Sequence, residues 1–224
     1  MPEHVHVHVP HELTEETHPV SGRERALEFV AVLLLSVSTV CIAWSGYQAA
    51  KWSGHQARHY AEASTARALA NRVSTLGGQE RIQDLLNFNR WLEVSTEGNT
   101  QLAQLYERRF RAEFRPAFVA WRAQDPINNT KAIASPLLMP QYKLANFEKA
   151  DKLERLGDKR FEEAKRATEH ADSYIFATVF FAAVLFFAGI SMRFDWIAMR
   201  MTVLGLSALF LAYGIFHLAS LPVL

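Results

Sequence analysis

Apolar residues gather into three long runs, at about Leu27–Trp44, Tyr174–Met192 and Met201–Val223, and the stretch between the first two runs is polar and charged. Each run is close to the roughly 20 residues that a helix needs to cross ~30 Å of hydrocarbon. The pattern predicts an all-α integral membrane protein. Three transmembrane helices are expected, with a long antiparallel helical-bundle domain inserted between the first and the second. The expected divisions are a tail over 1–22, spans over 23–50, 173–192 and 197–223, and an extramembrane helical domain over 51–172.

Within the first helix the pattern has a period of seven. Ser36, Ala43, Ala50, Ala57 and Ser64 form one series, and Thr39, Gly46, Ser53, Tyr60 and Arg67 a second, offset by three. Such heptads are the signature of a coiled-coil seam. Most of these residues are small, and small residues let helix backbones approach closely, in lipid above all. The seam runs on past the end of the first span, so this helix is expected to leave the membrane unbroken. A tandem repeat overlies it: Trp44-Ser45-Gly46-Tyr47-Gln48-Ala49, then Trp52-Ser53-Gly54-His55-Gln56-Ala57. The candidate packing surface is therefore Ser36, Thr39, Ala43, Gly46, Ala50, Ser53, Gly54 and Ala57, and homo-oligomerisation is the expected use of it. A ligand cage built from the repeated Trp and Gln residues is the competing reading.

Further along, Gly77-Gly78 is expected to end the first helix. A second helix is expected over Gln79–Thr96, with Ile82, Leu85, Leu86 and Leu92 on its apolar face, and Gly98-Asn99 to follow as a break. A third is expected over Thr100–Ala123, with Leu102, Tyr106, Phe110, Phe114, Phe118 and Trp121 on one face and a kink at Pro116. Pro126, Pro136 and Pro140 mark 125–140 as a loop. From about Gln141 a three/four spacing runs straight into the second span, predicting one helix of about 50 residues, ~75 Å long. The connector around Arg193–Arg200 is short, so the last two spans form a hairpin.

Composition adds little until it is divided. The net charge is +1, and residues 51–172 hold 20 Lys/Arg against 16 Asp/Glu, too even a balance to imply nucleic acid as a partner. Cys41 is the single cysteine, so no intrachain disulfide forms. The first span is longer than a signal-peptide core, and Trp44 sits inside the small-residue site near its end, which marks it as a retained anchor. Flanking charges divide on topology. Arg23, Arg25, Arg193 and Arg200 favour a cytoplasmic N-terminus with the helical domain outside. Lys51, Arg58, Lys159, Arg160, Lys165 and Arg166 favour the reverse, but they flank a long domain and lie among carboxylates. The first orientation is the expectation.

Candidate chemistry is sparse. His4, His6 and His8 alternate, so an extended chain would place all three on one face, within reach of one divalent metal ion. A weak chelator is the simpler reading, and no cofactor is otherwise expected. His217 is an ionisable residue inside the third span, which marks either an ion pathway or a hydrogen bond near the headgroups. Arg108, Arg109, Arg111 and Arg115 interleave with Phe110, Phe114 and Phe118, but at helical spacing most of the arginines leave the aromatic face, as in an ordinary amphipathic helix. The sequence has no phosphate-binding Gly-rich loop, His-Glu-x-x-His or nucleophile elbow. The expected role is non-enzymatic: a membrane scaffold that self-associates through the seam. The alternatives are a subunit of an oligomeric ion or small-solute pathway, with Ser36, Ser38, Thr39 and His217 lining it, and a metal-responsive membrane sensor using the His tail.

Val9-Pro10-His11-Glu12, the Trp-Ser-x-x-Gln-Ala repeat, Arg115-Pro116-Ala117-Phe118 with Asp125-Pro126, and Phe186-Phe187-Ala188-Gly189-Ile190-Ser191 together resemble a family of small bacterial membrane proteins. That family has one N-terminal span, a helical insert and a C-terminal hairpin, and no assigned function. The resemblance implies a bacterial envelope protein, with the cytoplasmic membrane as the expected location, and carries over no activity and no catalytic residue.

Overall fold

A computed structural model describes residues 22–224, which form helices and connecting turns with no strand among the described residues. The helices are α1 (Gly22–Thr96), α2 (Thr100–Arg109), α3 (Arg115–Arg122), α4 (Ala145–Ser191) and α5 (Ile197–Ala219), with one 3-10 turn at Pro136–Leu138. α1, α4 and α5 are each long and apolar enough to cross a membrane. The described chain separates into two compact units. One, the apolar unit, holds the residues up to Trp52 with Glu169–Leu224; the other, the polar unit, is Ser53–Thr168.

Four expectations about helix boundaries are corrected. α1 does not end at Gly77-Gly78 but runs for 75 residues to Thr96. A glycine inside a helix costs only about 1 kcal/mol, and Gly77 has a packing role. A Cβ there would meet the Phe147 ring at 3.2 Å, so the missing side chain admits the start of α4. The helix stops at the second glycine signal, where Gly98 has φ +79. Thr100–Ala123 is two helices instead of one kinked helix. Pro116 sits in the first turn of α3, where its missing N–H costs nothing. α4 begins at Ala145 instead of Gln141 and continues unbroken for 47 residues. The third apolar run is helical from Ile197, and the helix ends at Ala219 instead of reaching Val223.

A period of seven governs burial along α1, in a different phase from the seam of small residues. In the apolar unit Ala31, Ser38 and Ser45 are buried; in the polar unit Ala63, Ala70, Asp84 and Trp91 follow the same interval, with Gly77 completing the series. α4 answers with Ala150, Gly157 and Ala164 in the polar unit, and with Tyr174, Phe181 and Ala188 in the apolar unit.

In the apolar unit, Ala31 and Leu34 of α1 pack on Val184 and Ala188 of α4 and Leu204 of α5. α4 and α5 pack tightly at Gly214, where a Cβ would lie 2.8 Å from the Phe181 ring. Ser207 crosses the same interface, its hydroxyl donating to the Val184 carbonyl at 3.3 Å.

In the polar unit α1 and α4 run antiparallel, with Gly157 against Arg67 and Ala63, and Phe161 against the edge of Tyr60. Its core is aromatic: Phe88 and Trp91 from α1, Phe110 and Phe114 from the turn after α2, and Phe118 and Trp121 from α3. The rings meet mostly edge to face, Trp91 on Phe118 at 4.7 Å and Phe88 on Trp121 at 5.1 Å, the arrangement that ring quadrupoles favour. The expected apolar face of this part of α1 is corrected accordingly. Of the expected residues Leu92 packs on the core, but Ile82, Leu85 and Leu86 are exposed, and the buried face is Asp84, Phe88, Trp91 and Val94.

Candidate interaction surface

The eight seam residues share one property. Ser36, Thr39, Ala43, Gly46 and Ala50 in the apolar unit are all exposed, as are Ser53, Gly54 and Ala57 in the polar unit. A Cβ built on Gly46 or on Gly54 would meet nothing within 4 Å. The hydroxyls of Ser36 and Thr39 donate to the carbonyls of Val32 and Leu35 one turn back, both at 2.8 Å, so they need no outside partner. This face therefore has small side chains, no net charge and a self-satisfied backbone. It lies opposite the face that α1 buries within its own chain.

The two tryptophans of the tandem repeat part company. Trp44 is exposed and pairs only loosely with Tyr47. Trp52 packs on His170 at 4.5 Å and donates its indole N–H to the Pro222 carbonyl at 3.1 Å. Pro222 also accepts from the Tyr174 hydroxyl at 3.0 Å. Gln48, wholly buried, pairs both ends of its amide with the main chain of Leu224: Nε2 donates to the carbonyl at 3.3 Å, and Oε1 accepts the N–H at 3.1 Å. One glutamine and one tryptophan of the repeat, the residue types of the competing cage reading, thus fasten the segment after α5. The sequence signal for it was Gln48 and Trp52, four residues apart and so on one side of α1, easily passed over beside the glycines.

His217 lies in the last turn of α5, beside Phe176 and Tyr213, with its ring centroid 5.9 Å from the phenyl ring. Its Nε2 is buried with no hydrogen-bond partner among the described residues, as are the hydroxyls of Ser38 and Ser45. His4, His6 and His8 fall outside the described residues. Among the described residues no three His, Cys, Asp or Glu side chains are grouped to hold a metal ion.

The polar unit contains one ionisable group that sequence reading missed. Asp84 is buried on α1 and accepts from Arg111 at 3.0 Å and from the Tyr142 hydroxyl at 3.0 Å. Arg111 also pairs with Glu80 at 3.2 Å and Glu113 at 3.4 Å. Burial pushes the Asp84 carboxyl up from its ordinary value, and the bonds from Tyr142 and Arg111 pull against that. Burial, and then the neighbouring Asp84 charge, push the Tyr142 hydroxyl up as well. The cluster ties α1 to the turn between α2 and α3 and to the segment before α4, a structural task. Its signal was the heptad itself, since Asp84 stands midway between Gly77 and Trp91.

No protein-family model, no curated protein and no solved structure matches this chain. The functional reading therefore rests on the geometry alone.

Proposed function

We propose that the chain is a non-enzymatic scaffold of the bacterial cytoplasmic membrane. α1, α4 and α5 span the bilayer, the N-terminus is cytoplasmic, and the polar unit lies outside. Two or more copies associate through the outward face of α1. The observation that carries this reading is that Gly46 and Gly54 sit in open space on a face of small, uncharged residues. On an exposed helix face the two glycines forgo about 1 kcal/mol each of helix propensity. Against another helix they permit a close approach of backbones.

The test is Gly46→Leu combined with Gly54→Leu, measured in nanodiscs. With open space at both positions, the subunit keeps its fold and melting temperature while the oligomer dissociates to monomers. An unchanged oligomer would remove the seam from the account. Orientation is checked separately, with Asn129→Cys on a Cys41→Ser background. An impermeant thiol reagent labels that cysteine in intact cells if the polar unit is outside, and only after lysis if it is not.

One observation favours a second reading, a subunit of an ion or small-solute pathway. In the apolar unit Ser38, Ser45, Gln48, Ser191 and Ser207 are all wholly buried and neutral. Buried hydroxyls without partners are costly in hydrocarbon, and water would relieve them. Flux of a monovalent cation from proteoliposomes, abolished by Ser38→Val with Ser45→Val, would favour this reading over the scaffold.

A further inference from the structure

We propose that in the polar unit the outer face of α1, from Ala57 to Leu86, docks an acidic amphipathic helix of a partner protein. This extends the scaffold reading by naming the chemistry of what is held, and it rests on that reading without requiring self-association.

The first observation is apolar surface on the outside of the unit. Leu69, Leu76, Ile82, Leu85 and Leu86 are all exposed, Leu86 by 62%. Grouped aliphatic side chains of this kind mark a surface that is covered in use. Small residues at coiled-coil spacing run alongside them. Ala61, Ala68, Thr75 and Ile82 stand seven apart, with Ser64 and Asn71 three residues after the first two, and all are exposed. A Cβ on Gly78, seven residues beyond Asn71, would meet nothing within 4 Å. Alternating steps of three and four make one continuous stripe, and the partner that matches such a stripe is another helix.

The second observation selects the sign of the partner. Between Ser53 and Arg90 the carboxylates of α1 are Glu62, Glu80 and Asp84, and each is already held by an arginine. Arg160 holds Glu62 at 3.1 Å, and Arg111 holds Glu80 at 3.2 Å and Asp84 at 3.0 Å. Arg58, Arg72 and Arg81 are exposed and form no ion pair among the described residues. Arg72 adjoins Asn71 on the stripe, and Arg58 flanks its start. The surface therefore presents positive charge and no unpaired negative charge. The antiparallel neighbour is different. From Glu148 to Arg166 every exposed position of α4 except Leu156 and Phe161 is charged, with both signs interspersed. That is the pattern of a helix face left to water.

A helix with an aliphatic seam and Asp or Glu beside it answers both observations, covering the leucines and supplying the missing counter-charge. A second copy does not. Copies in one bilayer run in the same direction, so α1 would meet α1 in parallel and bring Arg72 near its own counterpart. A nucleic acid would match the arginines but leave the leucines against a charged backbone.

The test uses the full chain in phosphatidylcholine nanodiscs and two fluorescein-labelled synthetic peptides of about four heptads. Both carry Leu and Ala at the seam positions; the flanking positions are Glu in one and Lys in the other. Fluorescence anisotropy is expected to show saturable binding of the Glu peptide below about 100 μM and none of the Lys peptide. Raising sodium chloride from about 50 to about 300 mM weakens that binding about tenfold. Arg58→Gln with Arg72→Gln, and Ile82→Ser with Leu86→Ser, alter exposed side chains. Each pair weakens binding about tenfold or more and leaves the melting temperature unchanged. Val119→Ser with Leu138→Ser, at two exposed aliphatics off α1, leaves binding as it was. Absence of saturable binding by the Glu peptide overturns the proposal, as does equal binding by the Lys peptide or undiminished binding by either variant pair on α1. Disulfide-linked dimers formed by Ile82→Cys on a Cys41→Ser background would assign the face to a second copy, and displacement of the Glu peptide by equimolar single-stranded DNA would assign it to nucleic acid; either result overturns the proposal. Oligomer size is read on the same samples by light scattering, so loss of self-association and loss of peptide binding are told apart.

Discussion

The two units bury their polar groups in opposite ways. In the apolar unit the buried polar side chains are four serines and a glutamine, all neutral. In the polar unit the buried polar side chain is Asp84, matched with the guanidinium of Arg111. Packing differs in the same sense. The apolar unit joins α4 to α5 through a glycine pressed on a phenyl ring, and the polar unit is filled by interlocking aromatic rings. The contrast follows from the surroundings each unit is proposed to have. Where water competes for every contact outside, burial of large aromatic area drives folding, and an ion pair can be carried at the edge of that core. Where the outside is hydrocarbon, moving apolar surface inward gains little, so close contact and neutral hydrogen bonds must serve.

The contrast breaks most readily at the aromatic core. Phe114 is fully buried and contacts four other rings. Phe114→Ala should cost about 3–5 kcal/mol by loss of burial and the cavity left behind. Thermal melting followed by near-ultraviolet circular dichroism checks it. A loss below about 1 kcal/mol would mean that aromatic burial does not hold this unit together.

Next comes the buried charge. Asp84→Ala leaves Arg111 without its nearest counter-charge and the Tyr142 hydroxyl without its acceptor, at about 3 kcal/mol. Asp84→Asn keeps an acceptor for both and should cost less. The two also differ with pH. Because the Asp84 carboxyl is raised above its ordinary 3.8 in the folded protein, the folded state binds that proton more tightly than the unfolded chain does. Its contribution to stability is full below the ordinary value and declines as pH rises through the raised one. Melting temperatures across that window should therefore fall more steeply with rising pH for the native protein than for Asp84→Asn. Parallel curves would show that Asp84 keeps its ordinary affinity for protons.

In the apolar unit the sharpest contact is Gly214. Gly214→Ala introduces a Cβ 2.8 Å from Phe181, and overpacking of this kind costs about 1–3 kcal/mol. Resistance to dissociation by SDS reports it, and a tolerant response would show that Phe181 moves aside freely. The smallest effect is expected at Ser45. Its hydroxyl is buried without a partner, so Ser45→Ala should be neutral or stabilising by about 1 kcal/mol, opposite in sign to Asp84→Ala. A marked destabilisation would reveal a hydrogen bond at Ser45 that the static geometry does not contain.

Much of this architecture could be read from the residues, and what was missed shares a cause. Lengths and hydropathy gave three helices able to cross a membrane, and the spacing after Gln141 gave a single long helix into the second of them. The period of seven was legible too, but its phase was not. Two sets of heptads coexist on α1. The set that stands out by eye is the uniformly small one, through Gly46 and Ala50. The set buried within the chain mixes Ala63, Asp84 and Trp91, because each position meets a different neighbour and needs a different volume. The clearest intrachain signal lay in the partner helix, where Ala150, Gly157, Ala164 and Ala171 are small at every seventh position and all buried. Gly77 misled for a related reason. A glycine announces conformational freedom and absent bulk alike, and only the position of Phe147 says which is used.

The fastening of the segment after α5 has a consequence for exchange with solvent. Leu224 lies outside regular secondary structure, where amide hydrogens normally trade with deuterium within seconds. Its N–H is instead donated to Gln48, a residue with no solvent exposure, while Trp52 and Tyr174 hold the carbonyl two residues before it. The Leu224 amide can be labelled only when its bond to Gln48 opens, and the bonds to Pro222 beside it oppose that opening. Its exchange rate is thus a local clock for the seating of α5 on α1 and α4, legible by mass spectrometry from a single short peptide.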